Sequence, residues 1–562
     1  MFLCHRCATR LLVSNRSSTR AAGKRDFSTA AVSTEQTSVL TSVVSRHQLR
    51  LHQSSTSGSK LARLSLVGIS RRYSTPSGSH RPFRLAIIGA GPAGFYTASR
   101  LLKQHHGAKI DMYERLPVPF GLVRYGVAPD HPEVKNCQDR FEEIAQTPGF
   151  DFIGNVEVGR QVPFEMLRRH YDAILFTYGA SEDRKLGVEG EHFRNVWSAR
   201  SFVAWYNGLP GYSNLGFDLK NATNAAIIGQ GNVSLDVARI LLTPVDSLRR
   251  TDIPEPVLQE LSESNVRKVA AIGRRGPLQA AFTIKEIREL TVIPDVRFEH
   301  VDPSFFPSDL KSLPRARRRI AELLLKASAG SASSAESKSK SFALEFLWSP
   351  IKFVDRPEAR EVLASISLQK QAFAVDADPY DPSATVQAVS EQPRAFSASL
   401  AFRSIGYKSI ELPGLSDLGI HFDKRRGVIP NRGGRVVQEA TGQPGVELSQ
   451  VLPGLYVAGW VKRGPTGVIA STMEDAFATA DCIMQDIDAG RQFLNGDLVS
   501  ECVRDGWHGV LRELQSQCLS VRRTDWNDWR QIDKVERERG ARLGKEREKI
   551  TSVEDMLRVL DG

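Results

Sequence analysis

The chain has 562 residues, more than a single hydrophobic core usually serves, so two or three domains are expected. Its 41% hydrophobic and 25% charged residues are ordinary for a globular protein and exclude a mainly disordered or fibrous chain. Residues 1–80 hold twelve lysines and arginines against two acids and so carry +10 of the total charge of +11, which means that the rest is nearly neutral and gives no indication of nucleic-acid binding.

The N-terminal segment, residues 1–80, is rich in arginine and serine, nearly free of acids and without a long apolar run. This composition is typical of a mitochondrial presequence and not of a secretory signal. Arg25–Ser28 and Arg71–Ser74 both resemble the presequence cleavage pattern, and we favour the second because it directly precedes the first predicted strand. We predict a presequence and disordered leader that direct the protein to the mitochondrial matrix. The alternative is a disordered N-terminal tail with no targeting function.

The first predicted strand, Arg84–Gly89, is a short apolar run that ends in a glycine-rich turn. A helical pattern follows, and then a second strand, Lys109–Glu114. This order predicts a βαβ unit of a parallel sheet.

The turn itself has the spacing G-x-G-x-x-G. Gly89 permits a tight turn, Gly91 lets the backbone approach a pyrophosphate, and Gly94 lets the helix pack on the strand. Glu114 stands twenty residues after Gly94, where a carboxylate accepts hydrogen bonds from ribose hydroxyls. The pattern predicts a nucleotide site; the alternative is a packing turn beside an ordinary surface glutamate.

The same pattern returns at the strand Asn224–Gly229, whose turn Gly229-Gln-Gly-Asn-Val-Ser234 leads into a second helix. Ser234 replaces the third glycine and is still small enough for close packing. A later strand, ending at Gly273, is followed by Arg274-Arg275 and by no acid. Two guanidiniums can bind a 2′-phosphate, so this site is predicted to take NADP(H) and not NAD. The alternative is a solvated charge pair at a strand end.

A third strand–turn–helix pattern runs from Gly454 through a helix predicted at about Val468–Asp486. Residues 327–341 are predicted to be a low-complexity loop, residues 376–395 another loop, and the charged tail from Arg522 a helical segment.

The first glycine turn is accompanied by a glutamate at the end of the following strand, and the second by two arginines after a later strand. This difference predicts two cofactors, FAD and NADP(H). A flavin converts a two-electron hydride into single electrons. The cysteines beyond the leader form no C-x-x-C pair and do not have the spacing of iron–sulfur ligands; they are Cys137, Cys482, Cys502 and Cys518. The electron acceptor is therefore expected outside the chain, and no metal site is predicted.

Five motifs, taken together, resemble those of the mitochondrial NADPH:adrenodoxin oxidoreductases, a family of ferredoxin–NADP reductases in the glutathione-reductase-like flavoprotein class. The resemblance covers roughly residues 82–562. In chain order the motifs are Gly89–Ala98, Pro119–Lys135, Gly229–Leu241, Gly273–Gln279 and Gly459–Ile469.

The resemblance implies an α/β fold with two Rossmann-like dinucleotide-binding domains, the NADP domain being inserted into a split FAD domain. The implied boundaries are 81–184 for the first FAD part, 185–407 for the NADP domain, and 408–562 for the second FAD part with the charged tail. The implied activity passes electrons from NADPH through FAD to a [2Fe–2S] ferredoxin, which then serves iron–sulfur cluster assembly, haem synthesis or cytochromes P450.

The resemblance also implies cofactor contacts residue by residue. Those for FAD are Ala93, Glu114, Leu122, Val158, Trp460, Gly467, Val468 and Ile469, in addition to the glycines of the first turn. Those for NADP are Gln230, Gly231, Asn232, Val233, Arg274, Arg275, Glu286 and Gly467.

His131, in Pro129-Asp-His-Pro132, is either a proton donor near the flavin or a structural histidine in a turn. We favour the structural interpretation, because hydride transfer from NADPH needs no acid.

A basic cluster is a candidate docking surface for an acidic [2Fe–2S] ferredoxin, as in the family; the alternative is a solvated helix face. Its members are Lys285, Arg288, Arg315, Arg317, Arg318 and Arg319. Peripheral contact with the inner membrane is left open.

Two other functions also stay open. One is a glutamate-synthase-type flavoprotein subunit, although the cysteine-rich region of those subunits is absent here. The other is a non-enzymatic flavin-binding scaffold, which would have no need of the arginine pair.

Overall fold

The computed structural model describes residues 81–332, 338–438, 450–494 and 504–562. These residues belong to one compact unit, Ser79–Gly562. The predicted presequence, residues 1–80, and Cys502 lie outside the described residues.

The first part of the fold contains β1 (Arg84–Ile88), α1 (Pro92–Gln104), β2 (Lys109–Tyr113), α2 (Leu122–Tyr125), α3 (Cys137–Ala145), β3 (Phe150–Ile153), α4 (Phe164–His170) and β4 (Ala173–Phe176). The last part contains β17 (Asn431–Arg432), β18 (Arg435–Gln438), β19 (Gln450–Val457), α11 (Trp460–Arg463), α12 (Ile469–Asp488), α13 (Trp507–Ser516), α14 (Trp526–Arg542) and α15 (Val553–Asp561).

Between them lie β5 (Glu182–Asp183), β6 (Val196–Ser198), α5 (Ala199–Tyr206), β7 (Asn224–Ile228), α6 (Asn232–Leu242), α7 (Val245–Leu248), α8 (Glu255–Ser262), β8 (Lys268–Gly273), α9 (Ile284–Thr291), β9 (Val296–Phe298), α10 (Arg315–Ala332), β10 (Lys340–Phe346), β11 (Trp348–Arg356), β12 (Ala359–Phe373), β13 (Val386–Ala388), β14 (Arg394–Ser397), β15 (Leu400–Arg403) and β16 (Tyr407–Lys408). Short 3₁₀ helices cover Pro132–Asn136, Pro277–Gln279, Pro303–Phe305, Leu310–Ser312 and Ser416–Leu418.

The first sheet has seven strands in the order β17-β18-β19-β4-β1-β2-β3. Strands β19, β4, β1, β2 and β3 run parallel, and β17 and β18 add an antiparallel edge. Residues Leu85–Ile88 of the central β1 are buried on both faces, as expected of a parallel strand covered by helices. This sheet draws its strands from both ends of the described chain.

The second sheet has six parallel strands in the order β6-β15-β7-β8-β10-β9. All six lie between β4 and β17 along the chain, so this domain is inserted into the first. The predicted fold class, two Rossmann-like domains with one inserted into the other, is therefore confirmed. The two connecting segments pair with each other, since β5 and β16 form a short antiparallel ribbon. The domain boundaries themselves stay predictions.

Two predicted loops contain regular structure. Residues 327–332 were expected in a low-complexity loop but continue α10, and β10 begins at Lys340; residues 333–337 lie outside the described residues. The buried Ser328 hydroxyl accepts a hydrogen bond of 2.7 Å from Val301 N, which anchors the end of that helix. In the second loop, residues 376–395, β13 and the start of β14 pair with the long strand β12. Backbone pairing with a neighbouring strand overrides the polar composition there.

The charged tail is helical, as predicted, and it ties the two domains together. Glu536 on α14 binds Arg124 of the first part at 2.5 Å, and both side chains are buried. Lys549 donates to Arg124 O at 3.2 Å and pairs with Asp252 of the inserted domain at 3.0 Å. Lys545 donates to Ile253 O at 2.8 Å. Among the described residues, no helix is long and apolar enough to cross a membrane.

Candidate dinucleotide sites

The first glycine turn joins β1 to α1 and requires glycine at two of its three positions. Gly89 has φ +108°, and a Cβ there would lie 2.7 Å from Tyr178 Cα. A Cβ on Gly94 would lie 2.6 Å from the Gly89 carbonyl oxygen. Around Gly91, by contrast, a Cβ would meet nothing within 4 Å. The turn is therefore tightly packed against the protein at Gly89 and Gly94. At Gly91 it leaves free space, on the side on which a pyrophosphate would bind.

Glu114 follows β2 and lies against this turn. Its Oε2 accepts a hydrogen bond of 3.0 Å from Ala90 N, and its Oε1 accepts one of 3.2 Å from Leu116 N. Burial raises the pKa of this carboxyl, and the two amide donors oppose that rise. A carboxylate has about four acceptor positions, so these two bonds leave capacity for the hydroxyls of a ribose.

Two distant segments converge on the same turn. Phe120 N donates to Ala90 O at 2.8 Å, and a Cβ on Gly121 would lie 3.4 Å from Gly91 Cα, which brings the start of α2 at Leu122 beside the turn. From the last part of the chain, a Cβ on Gly459 would lie 2.7 Å from the Ala93 Cβ.

The β19–α11 turn carries the remaining predicted FAD residues. Trp460 begins α11 and packs edge-on against Tyr407, with ring centroids 5.6 Å apart. Gly467 has φ +83°, and a Cβ there would meet the Ser471 side chain of α12 first and would lie 3.2 Å from Arg463 Nη1 of α11. Val468 is 59% exposed at the N-terminus of α12, where Ile469 begins the helix, so an apolar side chain is left uncovered at this place.

Val158 is the exception among the predicted FAD residues. Its side chain is 4% exposed and belongs to the hydrophobic core on one side of the first sheet. Its contact with a flavin stays a prediction.

The second glycine turn, between β7 and α6, repeats this geometry with one change. Gly229 has φ +127°, and a Cβ there would lie 2.2 Å from Ser404 O, whereas a Cβ on Gly231 would meet nothing within 4 Å. Ser234 is fully buried and its hydroxyl donates to Gly229 O at 2.6 Å. The serine thus donates a hydrogen bond to the carbonyl of the first glycine of its turn. In the first turn the equivalent residue, Gly94, only leaves room for the corresponding carbonyl of Gly89.

The side chains of Gln230 and Asn232 bind the protein. Gln230 Nε2 donates to Ala271 O at 2.9 Å and to Glu345 O at 3.1 Å, at the carboxyl ends of two strands. Asn232 Oδ1 accepts from Thr283 N at 2.9 Å, just before α9. The nucleotide contacts predicted for Gln230, Gly231, Asn232 and Val233 stay predictions and would fall to main-chain amides. Of the amides in the first turn of α6, those of Ser234 and Leu235 already donate to Gly231 O, at 3.0 and 3.3 Å.

The arginine pair follows β8 at the same edge of the second sheet as this turn. Arg274 is exposed and Arg275 is half-buried. In the described ranges neither guanidinium forms an ion pair. Glu286, in contrast, accepts a hydrogen bond from the hydroxyl of Thr283, the N-cap of its own helix. Guanidiniums that no carboxylate of the described residues neutralises, beside an open glycine turn, suit the 2′-phosphate and the pyrophosphate of NADP(H).

His131 lies in a network of charges between the domains. Its Nε2 is 2.6 Å from Glu289 Oε2, and its side chain is buried. Next to it, Arg239 pairs with Asp130 at 2.5 Å, with Asp236 at 2.8 Å and with Glu289 at 3.5 Å. These contacts favour the structural interpretation of His131, and the role of this residue in proton transfer stays a prediction.

The predicted docking cluster divides into three environments. Lys285 pairs with Glu133 at 2.5 Å, and Arg318 with Glu322 at 3.7 Å. Arg317 is half-buried and donates to Ala280 O at 2.8 Å. The three others are exposed and form no ion pair within the described part of the chain, and they lie on the adjacent helices α9 and α10; these are Arg288, Arg315 and Arg319.

Two residues that support the first glycine turn and the β19–α11 turn, respectively, escaped the sequence analysis. The Thr177 hydroxyl, at the end of β4, lies 2.9 Å from the Gly89 carbonyl. Asp475 on α12 accepts from Gly459 N at 2.7 Å and pairs with Lys462 at 2.9 Å. Thr177 follows β4, a strand that the sequence analysis did not predict, and no local pattern distinguishes Asp475.

Comparison with known proteins agrees with this geometry. A family profile described as an NAD(P)-binding Rossmann-like domain matches residues 87–140. The chain is 41% identical over 494 residues to the mitochondrial NADPH:adrenodoxin oxidoreductase of Arabidopsis thaliana, with coverage of 87% of this chain and 97% of the relative. It is 43% identical over 500 residues to that of Homo sapiens, with coverage of 87% and 95%. Among solved structures, Mycobacterium tuberculosis FprA in complex with NADPH has a TM-score of 0.74 and 34% identity, with coverage of 86% of this chain and 100% of that chain.

Proposed function

The chain belongs to the family of mitochondrial NADPH:adrenodoxin oxidoreductases, and on that premise we propose that its first glycine turn holds FAD, its second holds NADPH, and its α9–α10 surface docks an acidic [2Fe–2S] ferredoxin. The observation that carries the proposal is the pair of turns, one beside a half-buried carboxylate and the other beside two guanidiniums that form no ion pair within the described residues. The protein is thus an NADPH-dependent flavoprotein oxidoreductase of the mitochondrion. Coverage of 95% or more of the two relatives favours this function over that of a glutamate-synthase-type subunit.

The FAD side of the proposal rests on what surrounds the first turn. The α1 amides after Gly91 face the pyrophosphate, because first-turn N–H groups and the helix dipole favour an anion there. Glu114 accepts from the adenosine ribose, and the exposed Val468 with Trp460 covers the isoalloxazine. When bound, the flavin accepts a hydride from NADPH and releases its electrons singly. The chain's own residues bind and orient the cofactor and exclude water.

The NADPH side rests on the second turn. Gly231 leaves the backbone open to the pyrophosphate, and Arg274 and Arg275 bind the 2′-phosphate. Guanidinium–phosphate contacts are charge-assisted and bidentate, so they are stronger than neutral hydrogen bonds. Because NADH lacks this phosphate, the same residues determine which nucleotide is used.

The docking surface rests on the three exposed arginines that form no ion pair in the described part of the chain. The body of the protein has a net charge of about +1, so a local group of arginines forms a patch and is not part of a general field. Arg288, Arg315 and Arg319 attract an acidic partner during diffusion, which raises the association rate more than the final affinity. The ferredoxin then carries single electrons to iron–sulfur cluster assembly, haem synthesis or cytochromes P450.

Purified FAD-loaded protein tests the proposal. Anaerobic NADPH should bleach the flavin absorbance, and a [2Fe–2S] ferredoxin should then be reduced. Arg319→Glu should slow ferredoxin reduction most at low salt, because the Debye length falls from about 10 Å at 0.1 M salt to about 3 Å at 1 M. Reduction of ferricyanide, which needs no docking, should be unchanged.

Arg539→Glu is the matched control, since Arg539 is exposed on α14 and lies outside the cluster. If both variants slowed ferredoxin reduction equally, the effect would come from the net charge of the protein and not from a local surface. That result would reject the docking surface. A flavin that NADPH does not bleach would reject the electron-transfer function itself.

A further inference from the structure

Arg317 differs from the neighbouring arginines of α10 in where its side chain goes. Arg315 and Arg319 are exposed, whereas Arg317 is half-buried and donates from Nη1 to Ala280 O at 2.8 Å. Ala280 lies 37 residues earlier in the chain, so this contact fixes the guanidinium against another segment. The side chain is therefore held beneath the surface that the exposed arginines form.

The segment that Arg317 contacts connects the two parts of the nucleotide site. It runs from Arg274-Arg275 through the 3₁₀ helix Pro277–Gln279 to Ala281, and Ala281 N donates to Gln230 O in the second glycine turn at 3.1 Å. Arg317 thus binds the middle of a short connection whose beginning carries the arginine pair and whose end touches the turn.

The positive charges at this place are not balanced by carboxylates of the described residues. Burial, and then the nearby Arg275 guanidinium, lower the pKa of Arg317. Within the described ranges, Arg274, Arg275 and Arg317 form no ion pair with a carboxylate, whereas the adjacent Arg318 pairs with Glu322 at 3.7 Å. Like charges held together in a partly buried place favour the binding of an anion, because the anion removes their repulsion.

We propose that Arg317 is a third determinant of NADPH specificity, which completes with Arg274 and Arg275 a cationic pocket for the 2′-phosphate. This inference rests on the proposed function of the second turn and deepens it. It assigns Arg317 to the nucleotide and leaves ferredoxin docking to Arg288, Arg315 and Arg319. The chemical group that it recognises is a phosphate monoester dianion on an adenosine ribose.

Calorimetric titration of the FAD-loaded protein with 2′,5′-ADP and with 5′-AMP tests this proposal, because the two ligands differ only in the 2′-phosphate. Arg317→Gln removes the charge and keeps a donor for Ala280 O. It should weaken 2′,5′-ADP binding about 10-fold and leave 5′-AMP binding within about 2-fold, since charged hydrogen bonds contribute about 1.5–3 kcal/mol and 1.4 kcal/mol is tenfold. Arg317→Lys keeps a charge and should recover most of the loss.

Two further variants make the result decisive. Lys326→Gln removes one charge from an exposed position on the same helix and should leave the binding of both ligands unchanged. Arg275→Ala should weaken 2′,5′-ADP binding at least as much as Arg317→Gln. Unchanged 2′,5′-ADP binding in Arg317→Gln beside a loss in Arg275→Ala would overturn this inference alone. Unchanged binding in both variants would overturn it together with the proposed 2′-phosphate site.

Two more outcomes would reject the role of Arg317 in specificity. Equal weakening of 5′-AMP and 2′,5′-ADP binding in Arg317→Gln would mean that the residue only anchors the segment around Ala280. Slower ferredoxin reduction at saturating NADPH, with unchanged 2′,5′-ADP binding, would return Arg317 to the docking surface.

Discussion

The two glycine turns of this protein have nearly the same backbone but bind their surroundings in different ways. In each, the first glycine has a strongly positive φ and touches backbone of a neighbouring strand end, while the second faces open space. The first turn is enclosed by Glu114 and by segments from both ends of the described chain. At the same sheet edge as the second turn, β8 is followed by Arg274 and Arg275, which form no ion pair with a carboxylate in the described ranges.

This difference separates what the turn does from what its neighbours do. In the function proposed above, the turn supplies a tight bend and amides for a pyrophosphate in both sites. Residues at the ends of adjacent strands then decide which ribose is accepted, because a carboxylate accepts from hydroxyls and a guanidinium binds a phosphate. Enclosure by distant segments suits a cofactor that stays bound, and an open edge suits one that exchanges.

The largest expected effect comes from placing a methyl group on the first glycine of either turn. Gly89→Ala should abolish FAD retention, and Gly229→Ala should abolish NADPH binding while FAD stays bound. Each Cβ would meet backbone at less than 3 Å, and each glycine has a positive φ that costs alanine about 1 kcal/mol or more. The flavin-to-protein ratio and an NADPH titration measure the two losses. Loss of FAD in both variants would show that the turns are not independent sites.

A change at the contact between the inserted domain and the tail should instead lower the stability of the whole protein. Asp252 is buried between Lys135 at 2.7 Å and Lys549 at 3.0 Å. Burial raises the pKa of its carboxyl, but the two ammonium groups outweigh burial and hold it well below the ordinary value. Asp252→Asn leaves two buried ammonium groups without their partner, so the free energy of unfolding should fall by about 3–5 kcal/mol.

Chemical denaturation at neutral pH measures this loss. Because the pKa of Asp252 is depressed in the folded state, its contribution is complete above the ordinary aspartate pKa of about 3.9 and is lost as the pH falls below it. The difference between wild type and variant should therefore shrink in acid. A difference that stays constant with pH would contradict the ion-pair account.

Glu114→Gln is a milder change confined to the first site. It replaces the carboxylate that faces the turn and should weaken FAD binding by about 1.5–3 kcal/mol, the range for hydrogen bonds to charged groups. NADPH affinity should not change. Because burial raises the pKa of Glu114, acidification should release FAD from the wild type at a higher pH than the ordinary glutamate value of about 4.3 predicts. Full flavin occupancy in Glu114→Gln would make Glu114 a packing residue only.

The smallest effect is expected from making the second turn more like the first. Ser234→Gly restores the third glycine and removes the 2.6 Å bond to Gly229 O, so stability should fall by about 1 kcal/mol. NADPH affinity should stay within about 2-fold, because the serine faces the protein. Thermal unfolding and NADPH titration check the two parts of this expectation. A large loss of affinity would mean that Ser234 contacts the nucleotide.

The sequence predicted the parts of both sites that depend on local spacing. Glycines at fixed intervals, Glu114 after a strand and Arg274-Arg275 after another could be identified because parallel strands end at one edge of a sheet. The roles of Thr177, Asp475 and Arg317 could not be predicted, since their partners lie 88, 16 and 37 residues away and only the folded chain brings them together. Residues 327–332 were assigned to a loop from composition, whereas contacts such as that of Ser328 keep them helical.

The central claim is that the arginines after β8, and not the glycine turn itself, select NADPH. The double variant Arg274→Ala/Arg275→Ala tests it most directly. The FAD-loaded variant should be titrated with NADPH and with NADH. Loss of two charge-assisted contacts should weaken NADPH binding by about 100-fold or more and leave NADH binding within about 2-fold. Equal weakening of both nucleotides would show that the arginines support the fold of the site and do not recognise the 2′-phosphate.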